Sequence, residues 1–194
     1  MNENLKILFE QNNGYLKASQ LPDKPTYNLL LRLVAQGIVE RVKAGVYHYS
    51  SEAFDETMID IEKIVPGGVL CLYSAWSYYE LSVHIPQAFN IAIEKSRKVT
   101  LPVYPPITLY YWKQEYHELG VLEREIGGYK VKIYDLEKSV CDAIKYRTKV
   151  GNEVSSEILK SYLKLKNRNL SLLLEYAKKM RVEKILRTYL EIGL

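Results

Sequence analysis

The sequence predicts an α+β fold: an N-terminal winged helix-turn-helix over residues 1–50, then a larger α+β domain over 51–194. That second domain should hold a small, mainly antiparallel sheet and a helical C-terminal tail. Three observations carry this reading. The first fifty residues run helix, helix, helix, β-hairpin. The middle of the chain holds four short β-prone runs, two of them flanking Gly127-Gly128. From Glu153 onward, apolar residues recur at helical spacing.

In chain order, Leu5, Leu8 and Phe9 share one face of a first helix over residues 3–11, and Asn12-Asn13-Gly14 ends it. A second short helix is expected over Lys17–Leu21, stopped by Pro22. Asp23-Lys24-Pro25-Thr26 reads as a turn, with Thr26 as N-cap of a third helix, Tyr27–Gln36, which Gly37 terminates. Ile38–Val42 and Val46–Tyr49, joined by Lys43-Ala44-Gly45, form a hairpin. The domain boundary is expected near Ser50-Ser51. A helix over Phe54–Val65 is broken by Pro66-Gly67-Gly68, and Val69–Leu81 reads as an aromatic-rich helix. Strands are expected at Phe89–Glu94, Ile107–Lys113, Val121–Ile126 and Tyr129–Tyr134. Asp135 caps a helix running to about Tyr146, and helices follow over 153–165, 169–180 and 182–192.

Composition narrows the class. Hydrophobic residues are 47% and charged residues 26%, which excludes a mostly disordered chain. Tyrosine is over-represented, 17 against 3 Phe and 2 Trp, and its amphipathic ring suits half-buried faces and interfaces. Two cysteines are too few for a disulfide scaffold, so a reduced, cytoplasmic setting is expected. No apolar run approaches the roughly 18 residues of a membrane span, and the N-terminal stretch lacks the apolar core of a signal peptide; no membrane partner is expected. The net charge of +4 divides as +2 in residues 1–50, −2 in 51–150 and +4 in 151–194, a distribution compatible with a polyanionic partner.

In a helix-turn-helix, the third helix of this order enters the major groove. Leu29, Leu30, Leu33 and Val34 would anchor it, leaving Asn28 and Arg32, four residues apart, on one outward face with Leu31 and Ala35. Asn pairs with adenine, Arg with guanine, and small apolar groups touch the thymine methyl. Lys24, Thr26 and Tyr27 at the start of that helix, and Arg41 and Lys43 on the hairpin, complete the candidate DNA-binding set as phosphate contacts.

Gly14-Tyr15-Leu16 and the run from Leu31-Arg32-Leu33-Val34 through Gly37 and Arg41-Val42 to Gly45-Val46-Tyr47 resemble the N-terminal domain of AbiEi-family antitoxins. These are regulators of bacterial type IV, abortive-infection toxin–antitoxin systems. The likeness extends loosely to about residue 165, through Tyr73-Ser74-Ala75-Trp76 and Ile133–Asp142. Where family members often carry Ser-Arg at the start of the third helix and Arg before the hairpin glycine, this chain has Thr26-Tyr27 and Ala44. The resemblance implies a transcriptional autorepressor that binds double-stranded DNA at its own promoter. It also implies neutralisation of a nucleotidyltransferase-like toxin by the C-terminal domain.

Candidate enzyme chemistry is sparse. His48, His84 and His117 form no metal-ligand pattern, Gly67-Gly68 lacks a phosphate-loop ending, and Cys141 sits in an apolar helical stripe. Glu123, Glu125, Asp135, Glu137 and Lys138 cluster as in metal-dependent nucleases, but Asp135 and Glu137 are equally the cap and first turn of a helix, and Asp142 can pair with Lys138 or Lys145. No catalytic residue, metal or cofactor is therefore assigned. Tyr73, Trp76, Tyr78 and Tyr79 cannot all face one side of a helix, so Tyr73, Trp76 and Tyr79 are candidate partner contacts. Beside the repressor–antitoxin reading stand a winged helix used only for protein binding, and a metal-dependent nuclease.

Overall fold

The structure, a computed structural model, describes residues 2–51 and 58–193. It is α+β, with a three-stranded antiparallel sheet and a five-stranded mixed sheet among the described residues. The chain forms two compact units. One comprises the described residues of Met1–Gly68 with Lys98–Pro105 and Arg124–Val131; the other comprises Val69–Arg97, Pro106–Glu123 and Lys132–Leu194.

In the first unit, α1 (Glu3–Glu10) starts where the Asn2 side chain accepts from the Asn4 amide, and it buries Leu5 and Phe9. Asn13 and Gly14 then adopt φ of 49° and 84°, the left-handed reversal that ends the helix. Lys17–Leu21, expected as helix, instead contributes the end of strand β1 (Tyr15–Lys17) and a single 3-10 turn, Ala18–Gln20. Tyr15 and Leu16 are both buried, and β1 gains a full set of partners on β3.

Helix α2 (Lys24–Ala35) begins three residues earlier than expected. Asp23, not Thr26, is the N-cap: its carboxylate accepts from the Thr26 amide at 2.7 Å, and Pro25 sits in the first turn, where a missing N–H costs nothing. Gly37, at φ 71°, follows the helix as expected. Strands β2 (Glu40–Lys43) and β3 (Val46–His48) make the hairpin, and the sheet order is β1-β3-β2. Leu5, Phe9, Leu16, Leu30, Leu33, Val39 and Tyr47 form the core of these elements. Of the helix expected over Phe54–Val65, only Ile61–Ile64 (α3) is helical: Met58–Asp60 are not helical, Asp60 capping α3 through its bond from the Lys63 amide, and the part of the expectation over 54–57 lies outside the described residues.

Val69–Leu81 is not one helix. Val69–Leu70 is a two-residue strand, β4, and α4 spans Leu72–Tyr78. Strands β5 (Phe89–Glu94), β6 (Ile107–Trp112), β7 (Val121–Ile126) and β8 (Tyr129–Tyr134) lie where expected, with a short helix α5 (Gln114–His117) between β6 and β7. The sheet runs β6-β5-β4-β8-β7. It is mixed rather than mainly antiparallel: β4 pairs antiparallel with β5, but β4–β8 and β5–β6 are parallel. The connection over 95–106 is about a dozen residues, long enough to return the chain for a parallel pairing that a tight turn forbids.

Asp135 caps α6 (Leu136–Val150), as expected, and every residue from Leu136 to Ile144 is buried. Helices α7 (Asn152–Lys164), α8 (Leu170–Lys179) and α9 (Glu183–Gly193) complete the chain. Trp76, Tyr134, Val140, Ile144, Ile158, Tyr162 and Leu173 lie at the centre of the second unit's core.

Candidate nucleic-acid interface

The face of α2 opposite its buried Leu30 and Leu33 carries Lys24, Asn28, Leu31, Arg32 and Ala35, all exposed. Lys24, Asn28, Leu31 or Arg32, and Ala35 follow one another at steps of three or four residues, so they form one stripe along about three turns. Nothing charged negatively interrupts it. The stripe offers an ammonium at its start, a carboxamide and a guanidinium one turn apart, and two apolar groups beside them. That is the donor set that hydrogen-bonds purine edges and touches thymine methyls.

The remaining members of the set behave differently. Arg41 is exposed on β2. Thr26 donates to Asp23 from its side chain and from its amide, and these bonds, the side-chain one foremost, hold the Asp23 carboxyl below the usual range. The first amides of α2 are thus partly answered by the chain's own carboxylate, and the Thr26 amide is already taken up by Asp23. Tyr27 is half-buried and hydrogen-bonds Tyr47, whose hydroxyl is pushed up first by burial and then by that bond. Lys43 is also half-buried, and its ammonium donates to the Ile64 carbonyl instead of projecting from the hairpin. Burial, with Lys17 nearby, lowers its pKa. Lys43, expected to reach a phosphate, is held inside the first unit.

One residue that shapes this surface, Asp23, reads in the sequence only as part of a turn. Asp23 sets where α2 begins and therefore which side chains share its outer face. The signal was present in the sequence, an Asp two residues before a Pro at a helix start, but Thr26 offered a competing cap.

The aromatic stretch of α4 is largely internal. Trp76 is fully buried, and its indole N–H donates to the Ser139 carbonyl at 2.9 Å, so it is a core residue and not a partner contact. An indole donor satisfied inside the core is the usual condition for burying Trp. Tyr73 packs edge-on against Trp76 with centroids 4.9 Å apart, and the Tyr79 hydroxyl donates to the Tyr134 carbonyl at 3.0 Å; both rings are half-buried. The ring that faces outward is Tyr78, which is 41% exposed.

The carboxylates around α6 each have a structural partner. Asp135 caps the helix and accepts from the Tyr176 hydroxyl at 3.0 Å. Glu137 accepts from the Tyr162 hydroxyl and from the Asn169 amide, at 3.2 and 2.8 Å, and so fixes the start of α8. Asp142 takes both its bonds from Lys138. Burial pushes the Asp135 carboxyl up despite its bonds from Lys138 and Tyr176, and it pushes Asp142 up to about 6 against the pull of Lys138. Both cysteines are buried, and burial drives their thiols well above the ordinary range, which makes them poor nucleophiles. Among the described residues, no group of three or more His, Cys, Asp or Glu side chains is placed to hold a metal ion.

The three histidines are far apart in role. His48 stacks on Tyr15 with ring centroids 4.4 Å apart, and His84 lies 3.8 Å from the Glu157 carboxylate. His117 is half-buried, and its buried Nε2 has no hydrogen-bond partner among the described residues. Among the described residues, no helix is long and apolar enough to cross a membrane. The chain matches no protein-family model and no curated protein.

Proposed function

We propose that the first fifty residues act as a winged helix-turn-helix on double-stranded DNA, with α2 as the recognition helix and the β2–β3 hairpin as the wing. The observation that carries this reading is the stripe of Lys24, Asn28, Leu31, Arg32 and Ala35 on a helix anchored by Leu30 and Leu33. Asn28 and Arg32 read bases, Lys24 contacts a phosphate at the start of the helix, and Arg41 contacts a flanking phosphate. The element order supports the same reading, since α2 is followed directly by an antiparallel hairpin whose third strand is β1.

In this proposal the protein is a non-enzymatic transcriptional autorepressor of the AbiEi antitoxin type, acting at its own promoter. Residues 51–194 neutralise a nucleotidyltransferase-like toxin encoded beside it. A second reading, a winged helix that binds protein instead of DNA, is favoured by one observation: Thr26, Tyr27 and Lys43 are turned to internal bonds, which leaves fewer groups for phosphates. The carboxylate partners around α6 weigh against the nuclease reading. The test is a mobility-shift assay of the full-length protein on duplex from its own upstream region beside a scrambled duplex. Preferential retardation of the native sequence supports the repressor, and no retardation of either duplex supports the protein-binding alternative.

A further inference from the structure

We infer that β6 is a self-association edge, pairing antiparallel with β6 of a second copy of this chain about a two-fold axis through Leu109. This rests on the five-stranded sheet alone and does not use the DNA-binding reading. β6 ends the sheet order, and no strand among the described residues pairs with its outer side. The register shows which groups face outward. The Phe89 amide donates to the Pro106 carbonyl at 2.9 Å, and the Lys95 amide donates to the Trp112 carbonyl at 2.7 Å. In a strand, alternate residues turn both backbone groups to the same side. Residues 108, 110 and 112 therefore bond β5, while Ile107, Leu109 and Tyr111 present their N–H and C=O groups outward.

A two-fold axis at Leu109 matches those groups with their own kind. Leu109 meets Leu109 of the second copy and Ile107 meets Tyr111, each as a hydrogen-bonded antiparallel pair. Side chains directly opposite lie on the same face, so the cross-strand pairs are aliphatic–aliphatic and aliphatic–aromatic, the favourable kinds. Ile107 and Leu109 are half-buried and Tyr111 is 51% exposed, so there is apolar surface left to cover. The strand is also held in place for the encounter: the Tyr110 hydroxyl donates to Asn90 Oδ1 at 2.9 Å, and the Trp112 indole donates to the Tyr146 hydroxyl.

The choice of a second copy over another occupant follows from charge. β6, ITLYYW, has no charged residue and no proline, and in this register Lys113 falls opposite Pro105. No like charges meet. The other edge, β7, carries Glu123-Arg124-Glu125, and self-pairing centred there would set Arg against Arg and Glu against Glu. One edge is thus guarded against its own copy and the other is not, a contrast expected when only one edge is meant to pair.

The test needs no ligand: the mass of the full-length protein is measured by light scattering from about 1 to about 300 µM, the range in which small interfaces dissociate. We expect a monomer–dimer equilibrium. Leu109→Lys, which brings two ammonium groups face to face, should weaken it about tenfold or more. Tyr111→Lys, at a position already exposed, is the companion variant should Leu109→Lys fail to fold, and it should weaken the dimer in the same direction. Leu109→Cys should cross-link to its own copy under an oxidant, since opposed antiparallel residues lie within disulfide reach. A wild-type monomer throughout, or a dimer that Tyr111→Lys leaves unchanged, overturns the inference.

Discussion

Lys138 and Asp142, one turn apart on α6, form an ion pair with Nζ–Oδ1 2.7 Å apart and neither side chain reaching solvent. The ammonium lies 3.8 Å from the ring centre of Trp112 and 4.0 Å from that of Tyr134, two rings stacked with centroids 5.0 Å apart, so a cation is held against an aromatic pair in the core of the second unit. Burial depresses the Lys138 ammonium while Asp142 supports it. Such a pair contributes little over an apolar pair of the same shape, but half of it is costly. Lys138→Met should therefore lose about 3–5 kcal/mol in urea unfolding, because Asp142 is left buried and unpaired. The double variant Lys138→Met, Asp142→Leu should recover most of that loss. Additive losses would show that the two groups do not act as a pair.

Gly120 has φ of 68°, and a Cβ there would stand 2.8 Å from both Asp135 Oδ2 and Lys138 Cβ. Its carbonyl accepts from the Asp135 amide at 2.7 Å, so the glycine is fitted against the cap of α6. Gly120→Ala should cost about 1–3 kcal/mol through backbone strain and displacement of the cap. Thermal unfolding of the variant measures this, and an unchanged midpoint would contradict the close approach.

His117 should titrate below its ordinary value of 6.5, because burial disfavours the imidazolium even though the ring bonds the Ala92 carbonyl. The sign follows from proton binding. The unfolded chain takes up the proton first, so His117's contribution to stability is complete above 6.5 and is lost as pH falls through its lower folded midpoint. Asp142, raised to about 6, acts in the opposite sense as pH falls, so whole-protein unfolding mixes the two. Proton NMR titration of the individual imidazoles separates them. A His117 midpoint at or above 6.5 would contradict its burial.

The long signals in the sequence survived folding. Gly127-Gly128 between two β-prone runs, Asp135 before an apolar helix and Gly37 after α2 each act within a few residues, and each element lies where they put it. The short and the non-local were hidden. β4 has two residues and β1 three, too few for a period of two to register, and each is a strand because of a partner distant in sequence. Parallel pairing of β5 with β6 leaves no local mark at all. The outer stripe of α2 was legible because helical spacing alone defines it. The inward turn of Lys43 was not, since its acceptor, Ile64, lies 21 residues away. The burial of Trp76 was not legible for a related reason: its indole donor is answered by the Ser139 carbonyl, 63 residues on.

Lys43→Ala should destabilise the protein and leave DNA binding little changed. The Ile64 carbonyl loses its donor, which costs about 1–3 kcal/mol where it is shielded from water. The salt slope of promoter affinity should stay the same, because an ammonium bonded inward releases no counterion. A slope that falls by about one unit would show that Lys43 leaves Ile64 to contact a phosphate.

The most direct test of the DNA-binding reading is the affinity of full-length wild type and Arg32→Ala for own-promoter and scrambled duplexes, by fluorescence anisotropy at one fixed salt concentration. Arg32 is exposed on the outer stripe of α2, so its removal should leave the fold intact. Wild type should bind the promoter more tightly than the scrambled duplex, and Arg32→Ala should lose about 1–3 kcal/mol with weakened preference between the two duplexes. Equal affinities of wild type and variant for the promoter would contradict the DNA-binding reading.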